Sequence, residues 1–526
     1  METAHAVDYL IIGAGPAGLQ LGYYLEKNKS SYIILEAGEA PGAFFDLYPR
    51  HRQLISINKI HTGYDDPEIN LRWDWNSLLS DDEELLFRGY SKRYFPEATD
   101  LKRYLADFAG RFGLKIQYGT TVARVSRDRV FEVVDQRGAA YRAERLIVAT
   151  GLSKLYAPQI KGIELGETYA EFSTKPEDYR NQRVLIIGKG NSAFESANNL
   201  IETAASIHLC SPTPVTLAWK THYVGNLRAI NNQFLDTYQL KSQNAILDAN
   251  IEAIERDGDK FIVKIIYTHA KGERREISFD RVLVCAGFRF DASIFDESCR
   301  PELTIRDKYP AMTHEWESTN VEGLYFAGGL MHARDYRNTM SGFIHGFRYN
   351  IRSLSLILAR KYGGAEWPSE PVRAVPETLA DIAIKRVNRS SAMFLQPGYF
   401  CDVLTVSSPG ALGRHYGDMP VDYVRSSDFG ENDWYYTITL EYGDFHSLPD
   451  PFFIDRDPDP AAAHLTAYLH PIVRRYKGSA LVRAFHVPED LENVYATAHH
   501  AQLLGFFQEE LAAPVAQGDT LDSMAV

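Results

Sequence analysis

Two glycine-rich turns carry the residues whose types and spacing point most clearly to chemistry. The first, Gly13-Ala14-Gly15-Pro16-Ala17-Gly18, follows an apolar run that ends at Ile12. In such a turn the first glycine permits the tight bend, the second lets the backbone approach a pyrophosphate, and the third lets the next helix pack closely. Glu36 ends the next apolar run, 23 residues after Gly13, where an acid can bind the ribose hydroxyls of an adenosine. The pattern predicts a dinucleotide site formed by Gly13, Gly15, Pro16, Ala17, Gly18 and Glu36.

The second turn, Gly188-Lys189-Gly190-Asn191-Ser192, follows the apolar strand Arg183 to Ile187. It is not a Walker loop, because no glycine stands five residues ahead of Gly188. A helical pattern and the strand SIHLC complete a second βαβ unit, so we expect two dinucleotides. Glu36 would repel a 2′-phosphate, so the first unit suits the adenosine of FAD or NAD rather than NADP; with FAD there, NADPH or NADH is left to the second unit. Neither an arginine nor an acid follows SIHLC, so the preference for NADPH is slight. The predicted contacts are Gly188, Gly190, Asn191, Ser192 and Ser211.

The bulk composition excludes several other classes of protein. A chain of 526 residues is too long for a single hydrophobic core. Its formal net charge is -13 and it has no basic stripe, so a nucleic-acid partner is not expected. The four cysteines form neither a Cys-x-x-Cys pair nor a zinc spacing, so no metal site is predicted. No apolar run reaches the roughly 18 residues of a membrane span, and the first strand begins near Val7, so we expect a cytoplasmic protein without a membrane partner.

Several stretches resemble a known group of flavoproteins. The order and spacing of GAGPAGLQ, ATG, GKGNSAFE and CAGF resemble the class B flavin-dependent monooxygenases and their relatives. The stretches YPRHRQLISINK, DWNSLLS, THYVGNLRAINNQFLDTYQLKS and QPGYFCDVL are closer to the family of FAD-dependent oxidoreductase domain-containing protein 2, the endoplasmic reticulum flavoprotein associated with degradation. These stretches are specific and spread over roughly three quarters of the chain.

The resemblance implies an α/β fold with two Rossmann-like dinucleotide-binding domains, for FAD and NAD(P)H, and a C-terminal α+β domain. It divides the chain into residues 1–155 with 306–364 for FAD, 156–305 for NAD(P)H, and 365–526 as the accessory domain. Ala149, Thr150 and Gly151 resemble the strand end that links the flavin domain to the nicotinamide domain. Gly328 and Gly329 resemble the second flavin motif, with Gly329 in place of the aspartate that usually holds the ribityl chain.

The resemblance also implies a reaction and its residues. In class B monooxygenases NAD(P)H reduces the flavin, and dioxygen then forms a C4a-(hydro)peroxide that oxygenates a substrate. We expect a small molecule with a nucleophilic nitrogen or sulfur, and a role in biosynthesis. Asn58 matches an asparagine beside the flavin, although a plain turn asparagine is an equal alternative. Lys59 is expected to flank the same cavity, and Asn191 to orient the nicotinamide; these three are the predicted catalytic residues.

Two alternatives stay open. The monooxygenase fingerprint histidine is missing from GIELGETYAEFS, where Tyr169 lies nearest to its place, and this favours an NAD(P)H-dependent dehydrogenase or reductase that does not oxygenate. The other alternative is a non-enzymatic adaptor that keeps FAD as a structural element.

The C-terminal segment predicts a strand in DWYYTITLEYGDF and a last helix in NVYATAHHAQLLGFFQEELA. It is expected to cover the active site, select the substrate or form a homodimer contact.

Overall fold

A computed structural model of the chain describes residues 5–406, 410–431, 434–445 and 455–512. The chain forms two compact units. The first comprises Met1–Gly63 and Trp73–Ser355, and the second comprises Tyr64–Arg72 and Leu356–Val526. The boundary between them falls within the helix Ile344–Gly363. The short segment Tyr64–Arg72 thus clusters with the second unit, although the sequence placed it in the FAD-binding domain.

The first sheet of the first unit carries the first glycine-rich turn. Its central strands are parallel and buried, with Leu10 paired to Ile33 on one side and to Leu146 on the other. Such strands read as continuous apolar runs, as YLII does, because both faces of the sheet are covered. The strand order is Ile116–Gln117, Tyr32–Leu35, His5–Ile12, Ala140–Val148, Phe131–Asp135 and Val122–Arg127, and Leu324–Phe326 also pairs with Ala140–Val148.

The second sheet carries the second turn and is also buried on both faces. Alternate residues of the strand Arg183–Ile187 enter two separate cores: Val184 and Ile186 pack in one, Leu185 and Ile187 in the other. The strand order is Arg274–Phe279, Lys260–Tyr267, Ala245–Asp257, Ser206–Ser211, Arg183–Ile187, Arg281–Val284 and Glu167–Thr168.

Helices and two small ribbons complete the first unit. The helices are Pro16–Lys27, Phe44–Leu47, Ala98–Arg111, Asn191–Leu200, Ala218–Thr221, Gln233–Gln239 and the first part of Ile344–Gly363. The ribbons pair Lys154–Leu155 with Phe288–Arg289, and Leu303–Thr304 with Tyr309–Pro310.

The second unit is built on an antiparallel sheet. Its strand order is Glu370–Arg373, Leu412–Pro420, Phe400–Thr405, Tyr435–Glu441, His470–Lys477 and Ala480–His486. The helices Pro376–Arg389 and Thr497–Ala512 pack against each other, and shorter helices span Pro67–Asn70, Ser391–Leu395 and Val421–Ser426. Two Rossmann-like sheets followed by this mixed unit confirm the predicted fold class.

A buried ionic network lies inside the second unit. The Arg386 guanidinium donates to Asp402 at 2.5 Å and to Asp418 at 2.7 Å, and His415 Nε2 lies 2.6 Å from Asp402. The Asp402 side chain is fully buried. Removal of one member of such a network leaves the opposite charge buried without compensation, so these residues hold the strands and the helix Pro376–Arg389 in one arrangement.

Within the described ranges, no helix combines the length and the apolar character that crossing a membrane requires.

Candidate functional site

The first glycine-rich turn has the backbone geometry that a dinucleotide needs. Gly13 has a φ of +103°, and a Cβ added to Gly18 would lie 1.9 Å from the Gly13 carbonyl oxygen. The helix Pro16–Lys27 begins directly after Gly15, with Pro16 at its first position. A Cβ added to Gly15 would meet nothing within 4 Å, so open space lies in front of this backbone. This cradle at a helix N-terminus fits the pyrophosphate of FAD.

Glu36 is held at the edge of the same turn. Its Oε2 accepts a hydrogen bond from the Ala14 N–H at 2.6 Å, and its Oε1 accepts one from the Gly38 N–H at 2.8 Å. Each carboxylate oxygen has a further lone pair, with which it can accept a ribose hydroxyl. A fixed negative charge here also repels a 2′-phosphate, so the position fits the adenosine of FAD.

Two other predicted segments converge on the first turn. A Cβ added to Gly13 would lie 3.0 Å from the Ala149 carbonyl oxygen and 3.5 Å from the Thr150 Cα. A Cβ added to Gly328 would lie 2.5 Å from the Ala17 Cβ. Gly151, which has a φ of +63°, follows Thr150 after the strand Ala140–Val148. Gly329 follows Gly328 after the strand Leu324–Phe326. The structure therefore brings the residues predicted to bind FAD together around one turn.

The second turn repeats this geometry in the second sheet. Gly188 has a φ of +128°, and a Cβ there would lie 2.2 Å from the Cys285 carbonyl oxygen. Gly190 caps the helix Asn191–Leu200, which also contains Ser192, and open space lies in front of Gly190. Because the same cradle occurs twice, the chain has the backbone for a second dinucleotide.

Asn191 uses its side chain to fix a neighbouring loop. Its Nδ2 donates to the Asn226 carbonyl oxygen at 2.8 Å, and its Oδ1 accepts from the Arg228 N–H at 2.9 Å and from Asn231 Nδ2 at 3.1 Å. These bonds occupy both acceptor positions of the amide oxygen. Asn191 therefore holds the loop 226–231 on the second turn, and its predicted contact with the nicotinamide stays a prediction.

The end of the second βαβ unit contains an ion pair. Lys189, within the turn, pairs with Asp248, and only 3% of the lysine side chain is exposed. Asp248 lies opposite Ser211 in the sheet, and the Ser211 hydroxyl donates to the Thr213 carbonyl oxygen at 3.3 Å. The lysine of this turn is thus neutralised by the protein, which leaves Ser211 as the predicted contact at the adenosine end.

Asn58 is buried and only half satisfied. Its Nδ2 donates to the carbonyl oxygens of Ser91 at 2.8 Å and Arg93 at 3.2 Å. Its Oδ1 is buried and finds no hydrogen-bond partner among the described residues. Buried amide oxygens are nearly always paired, so Oδ1 is an acceptor that a bound group can satisfy. This geometry differs from that of an exposed turn asparagine, which water would satisfy.

A cavity of about 560 Å³ is lined by Lys59, the residue after Asn58, and by Thr62, Trp73 and Tyr94. Backbone bonds hold these walls together: the Asn58 N–H donates to the Tyr94 carbonyl oxygen, and the Lys59 N–H donates to the Trp73 carbonyl oxygen. Lys59 thus lines a cavity, and its predicted place beside the flavin stays a prediction. Aromatic walls with one ammonium group suit a small molecule that has an apolar body and a polar end.

Trp75 and His345 form a stacked pair that the sequence did not reveal. Their ring centroids lie 4.2 Å apart, and the Arg228 guanidinium lies over the Trp75 ring at 5.3 Å. Burial, with Arg348 and Arg228 nearby, lowers the pKa of His345 well below its ordinary value, so its imidazole is neutral. Both ring nitrogens of His345 are buried, without a partner in the part of the chain that the structure describes. Together with Asn58 Oδ1, they mark polar groups that a bound cofactor or substrate can satisfy.

A titratable carboxyl lies beside the second turn. Burial raises the pKa of Glu195, in the helix Asn191–Leu200, to about 7. Its charge acts on Tyr169, the residue nearest to the missing fingerprint histidine. The Tyr169 ring stacks on Tyr48 with centroids 5.4 Å apart. A glutamate in an amphipathic helix looks exposed in the sequence, so no sequence signal marked this carboxyl.

Across the described ranges, no group of three or more histidine, cysteine, aspartate or glutamate residues has the arrangement of a metal site.

Comparison with known proteins agrees with this geometry. Residues 10–328 match the family model described as pyridine nucleotide-disulphide oxidoreductase. FAD-dependent oxidoreductase domain-containing protein 2 from Mus musculus is 38% identical over 513 residues, which cover 89% of this chain and 76% of the relative. The protein of the same name from Danio rerio is 36% identical over 529 residues, with the same coverage.

Solved structures show the same fold. A flavin-containing monooxygenase from Stenotrophomonas maltophilia and a bacillithiol disulfide reductase from Staphylococcus aureus each superpose with a TM-score of 0.52 and 20% identity, over 68% of this chain and 99% of theirs. At this identity the likeness concerns the fold alone. The expected resemblance is confirmed by the family model and the curated relatives: the chain is an FAD-dependent oxidoreductase that belongs to the pyridine nucleotide-disulphide oxidoreductase family and, within it, to the family of FAD-dependent oxidoreductase domain-containing protein 2.

Proposed function

We propose that this oxidoreductase is an NAD(P)H-dependent monooxygenase that oxygenates a nitrogen or sulfur atom of a small molecule. The observation that carries the proposal is the state of its thiols. Enzymes that reduce disulfides pass electrons from the flavin to a reactive pair of cysteines. This chain belongs to a family whose name includes that chemistry, yet its own cysteines are unsuited to it.

The four cysteines, Cys210, Cys285, Cys299 and Cys401, are all buried and unpaired. Cys210 lies in the strand on one side of Ile187, and Cys285 directly follows the strand on its other side. Two strand spacings separate them by about 9.6 Å, beyond the reach of roughly 7 Å between the Cα atoms of a disulfide. Burial raises the pKa of each of these two thiols to about 12, so neither is a thiolate at neutral pH.

With no dithiol to receive them, electrons must leave for an external acceptor, and dioxygen is the acceptor of the proposal. FAD, when bound, supplies the hydride and oxygen chemistry. The chain's own residues bind and shield it. Gly13, Gly15 and Gly18 provide the cradle of the first turn, and Glu36 orients the adenosine ribose. Asn58 Oδ1 offers a buried acceptor that has no partner among the described residues.

The cavity beside Asn58 is the proposed substrate site. Its volume of about 560 Å³ is in the range of small-molecule pockets. Trp73 and Tyr94 provide aromatic walls for the apolar part of the substrate, while Lys59 and Thr62 provide donors for a polar end. Arg228 is held nearby by its bond to the Ile55 carbonyl oxygen at 2.8 Å and links this region to the second turn through Asn191.

Rapid mixing tests the proposal. The FAD-loaded protein is reduced with NADPH or NADH without oxygen and then mixed with dioxygen, while flavin absorbance is followed. An absorbing species that persists before the oxidised spectrum returns, and that decays faster with an added amine or thiol, supports oxygenation. Direct return to the oxidised spectrum with release of hydrogen peroxide refutes it and indicates a reductase. If neither nucleotide bleaches the flavin, the chain is a non-enzymatic adaptor instead.

A further inference from the structure

Tyr223, His332 and Asp335 form a buried hydrogen-bonded chain within the first unit. The Tyr223 hydroxyl lies 2.9 Å from His332 Nε2, and His332 Nδ1 lies 3.2 Å from Asp335 Oδ1. The tyrosine and imidazole rings are parallel to within 6°, with centroids 5.3 Å apart. All three residues are buried. The chain is therefore sealed from bulk water.

The neighbouring donors determine where its protons are. The Arg337 backbone N–H also points at His332 Nε2, at 3.2 Å, and a backbone N–H can only donate. Nε2 must then carry the lone pair, so Nδ1 carries the proton and donates it to Asp335. It follows that the Tyr223 hydroxyl donates to Nε2. The order of roles equals that of a Ser-His-Asp triad, with a phenol in the place of the serine.

The hydrogen-bonded chain of Tyr223, His332 and Asp335 lies next to the predicted FAD site. His332 belongs to the short helix Gly328–Ala333, whose first residue packs against Ala17 of the first turn. A Cβ added to Gly342 would lie 3.2 Å from the His332 ring. Tyr223, by contrast, comes from the loop after the strand Ser206–Ser211 of the second sheet. The hydrogen bond between Tyr223 and His332 thus joins segments from both dinucleotide-binding halves.

We propose that Tyr223 is a redox-active tyrosine whose phenolic proton is taken up by His332. In the step, one electron leaves Tyr223 for a one-electron oxidant in the flavin site. That oxidant would be light-excited oxidised FAD held by the first glycine-rich turn. The O–H bond breaks, and its proton forms an N–H bond at His332 Nε2. The products are a neutral tyrosyl radical, an imidazolium and the singly reduced oxidant. An electron returned by the reduced oxidant regenerates the phenol as the proton moves back.

The surroundings of Tyr223 favour the loss of its electron and its proton in one coupled step over their loss in two separate steps. Burial raises the pKa of Tyr223 above its ordinary value, with the Asp335 charge adding to the effect, so the phenol does not lose its proton alone. A phenol that has lost an electron is a strong acid, and the base bonded to its hydroxyl here is His332 Nε2. The Asp335 carboxylate also accepts from Thr339 and from the Ser341 N–H, and it stabilises the imidazolium that forms. The positive charge of Arg337 lowers the pKa of Tyr223 and so acts against the negative charge of Asp335.

Packed aromatic rings connect Tyr223 to the candidate site. The Phe343 ring lies 6.0 Å from Tyr223 and 5.9 Å from His345, which stacks on Trp75. On the other side, the rings of Tyr309 and Tyr336 lie 6.0 and 5.6 Å from His332. Electron transfer needs no direct contact with the oxidant, and this continuous packing provides a path through the protein interior.

The test uses the FAD-loaded full chain without nicotinamide nucleotide and without oxygen, so it does not depend on the proposed oxygenation. Blue light excites the flavin, and electron paramagnetic resonance detects radicals. We expect a neutral tyrosyl signal in the wild type and its loss in Tyr223→Phe and His332→Phe. Tyr309→Phe is the matched control, since that tyrosine lies near His332 without bonding to it, and there the signal persists. In D₂O the radical forms more slowly.

Incorporation of 3-fluorotyrosine at position 223 covers the case in which a variant misfolds, because it keeps the ring and the hydroxyl. The fluorine nucleus must add a splitting to the radical signal. Absence of a tyrosyl signal in the wild type overturns the proposal, and so does an unchanged spectrum with fluorotyrosine at 223. A signal that needs Tyr223 but forms equally well in His332→Phe also overturns it, because the proton then has another acceptor.

Discussion

Glu195 makes the stability of the chain depend on pH, and Glu195→Gln should remove that dependence. Burial raises the pKa of this carboxyl from its ordinary value of 4.5 to about 7 in the folded protein. The folded state therefore holds the proton more tightly than the unfolded state. The stabilising effect of the protonated form is complete below pH 4.5 and is lost as the pH rises through about 7.

The size of the effect follows from the two pKa values. At pH 5 the Glu195 carboxyl is partly ionised in the unfolded chain but still protonated in the folded protein. This lowers the free energy of unfolding by about 1 kcal/mol relative to low pH. At pH 8.5 the carboxyl is ionised in both states, and the cost reaches about 3 kcal/mol. Glutamine keeps the volume of the side chain and cannot ionise. The difference in unfolding free energy between Glu195→Gln and the wild type should therefore grow by about 2 kcal/mol between these two pH values.

Urea unfolding of the wild type and of Glu195→Gln, followed by circular dichroism between pH 5 and 8.5, measures this difference. Glu202→Gln is the matched control, because Glu202 is the exposed glutamate that follows the same helix. The control should leave the pH dependence of the wild type unchanged. Parallel curves for the wild type and Glu195→Gln would refute the reasoning, since they would mean that water reaches the carboxyl in the folded state.

Three further changes test other parts of the structure. Gly18→Ala places a Cβ 1.9 Å from a backbone oxygen, so the purified protein should lose its flavin absorbance, whereas Gly110→Ala, in open space, should keep it. Ser211→Arg adds a cation at the adenosine end of the second site and should raise kcat/KM for NADPH relative to NADH on the order of tenfold, as steady-state assays would measure. Asp402→Asn leaves a buried guanidinium without its main partner and should cost about 3–5 kcal/mol in urea unfolding, while the exposed Asp381→Asn should cost little.

The sequence predicted those features that local chemistry encodes. A glycine-rich turn forces a particular backbone, because a Cβ at Gly18 or Gly188 would collide with a carbonyl oxygen. The two βαβ units could therefore be predicted from the residues of their turns and flanking strands. The strand predicted in DWYYTITLEYGDF spans Tyr435–Glu441, and the predicted last helix spans Thr497–Ala512. The aromatic and β-branched residues of the strand, and the alanine, leucine, glutamine and glutamate residues of the helix, made these elements predictable as well.

Contacts between distant residues were not predictable. Tyr223 and His332 are 109 residues apart in the chain, and Trp75 stacks on a histidine 270 residues later. Neither pair leaves a periodic pattern, since each residue contributes one ring to a cluster assembled from loops and helix ends. The place of Tyr64–Arg72 in the second unit was not predictable for the same reason, because it depends on contacts with distant residues. Within that unit Asp66 binds Arg389 at 2.6 Å, and Glu68 accepts from the Ser391 hydroxyl at 2.6 Å.

The buried thiols and the unpartnered polar atoms of Asn58 and His345 support the proposed oxygenation over the reduction of a disulfide. A disulfide reductase needs two thiols of lowered pKa near its flavin, whereas burial raises the pKa of Cys210 and Cys285 to about 12 each. Unsatisfied buried polar atoms are costly, and they persist where a ligand completes them. Such atoms occur at Asn58 and His345, close to a cavity and to Trp75. The chain thus combines two glycine-rich cradles with two buried thiols that lie too far apart to pair, and this combination is what the proposed oxygenation rests on.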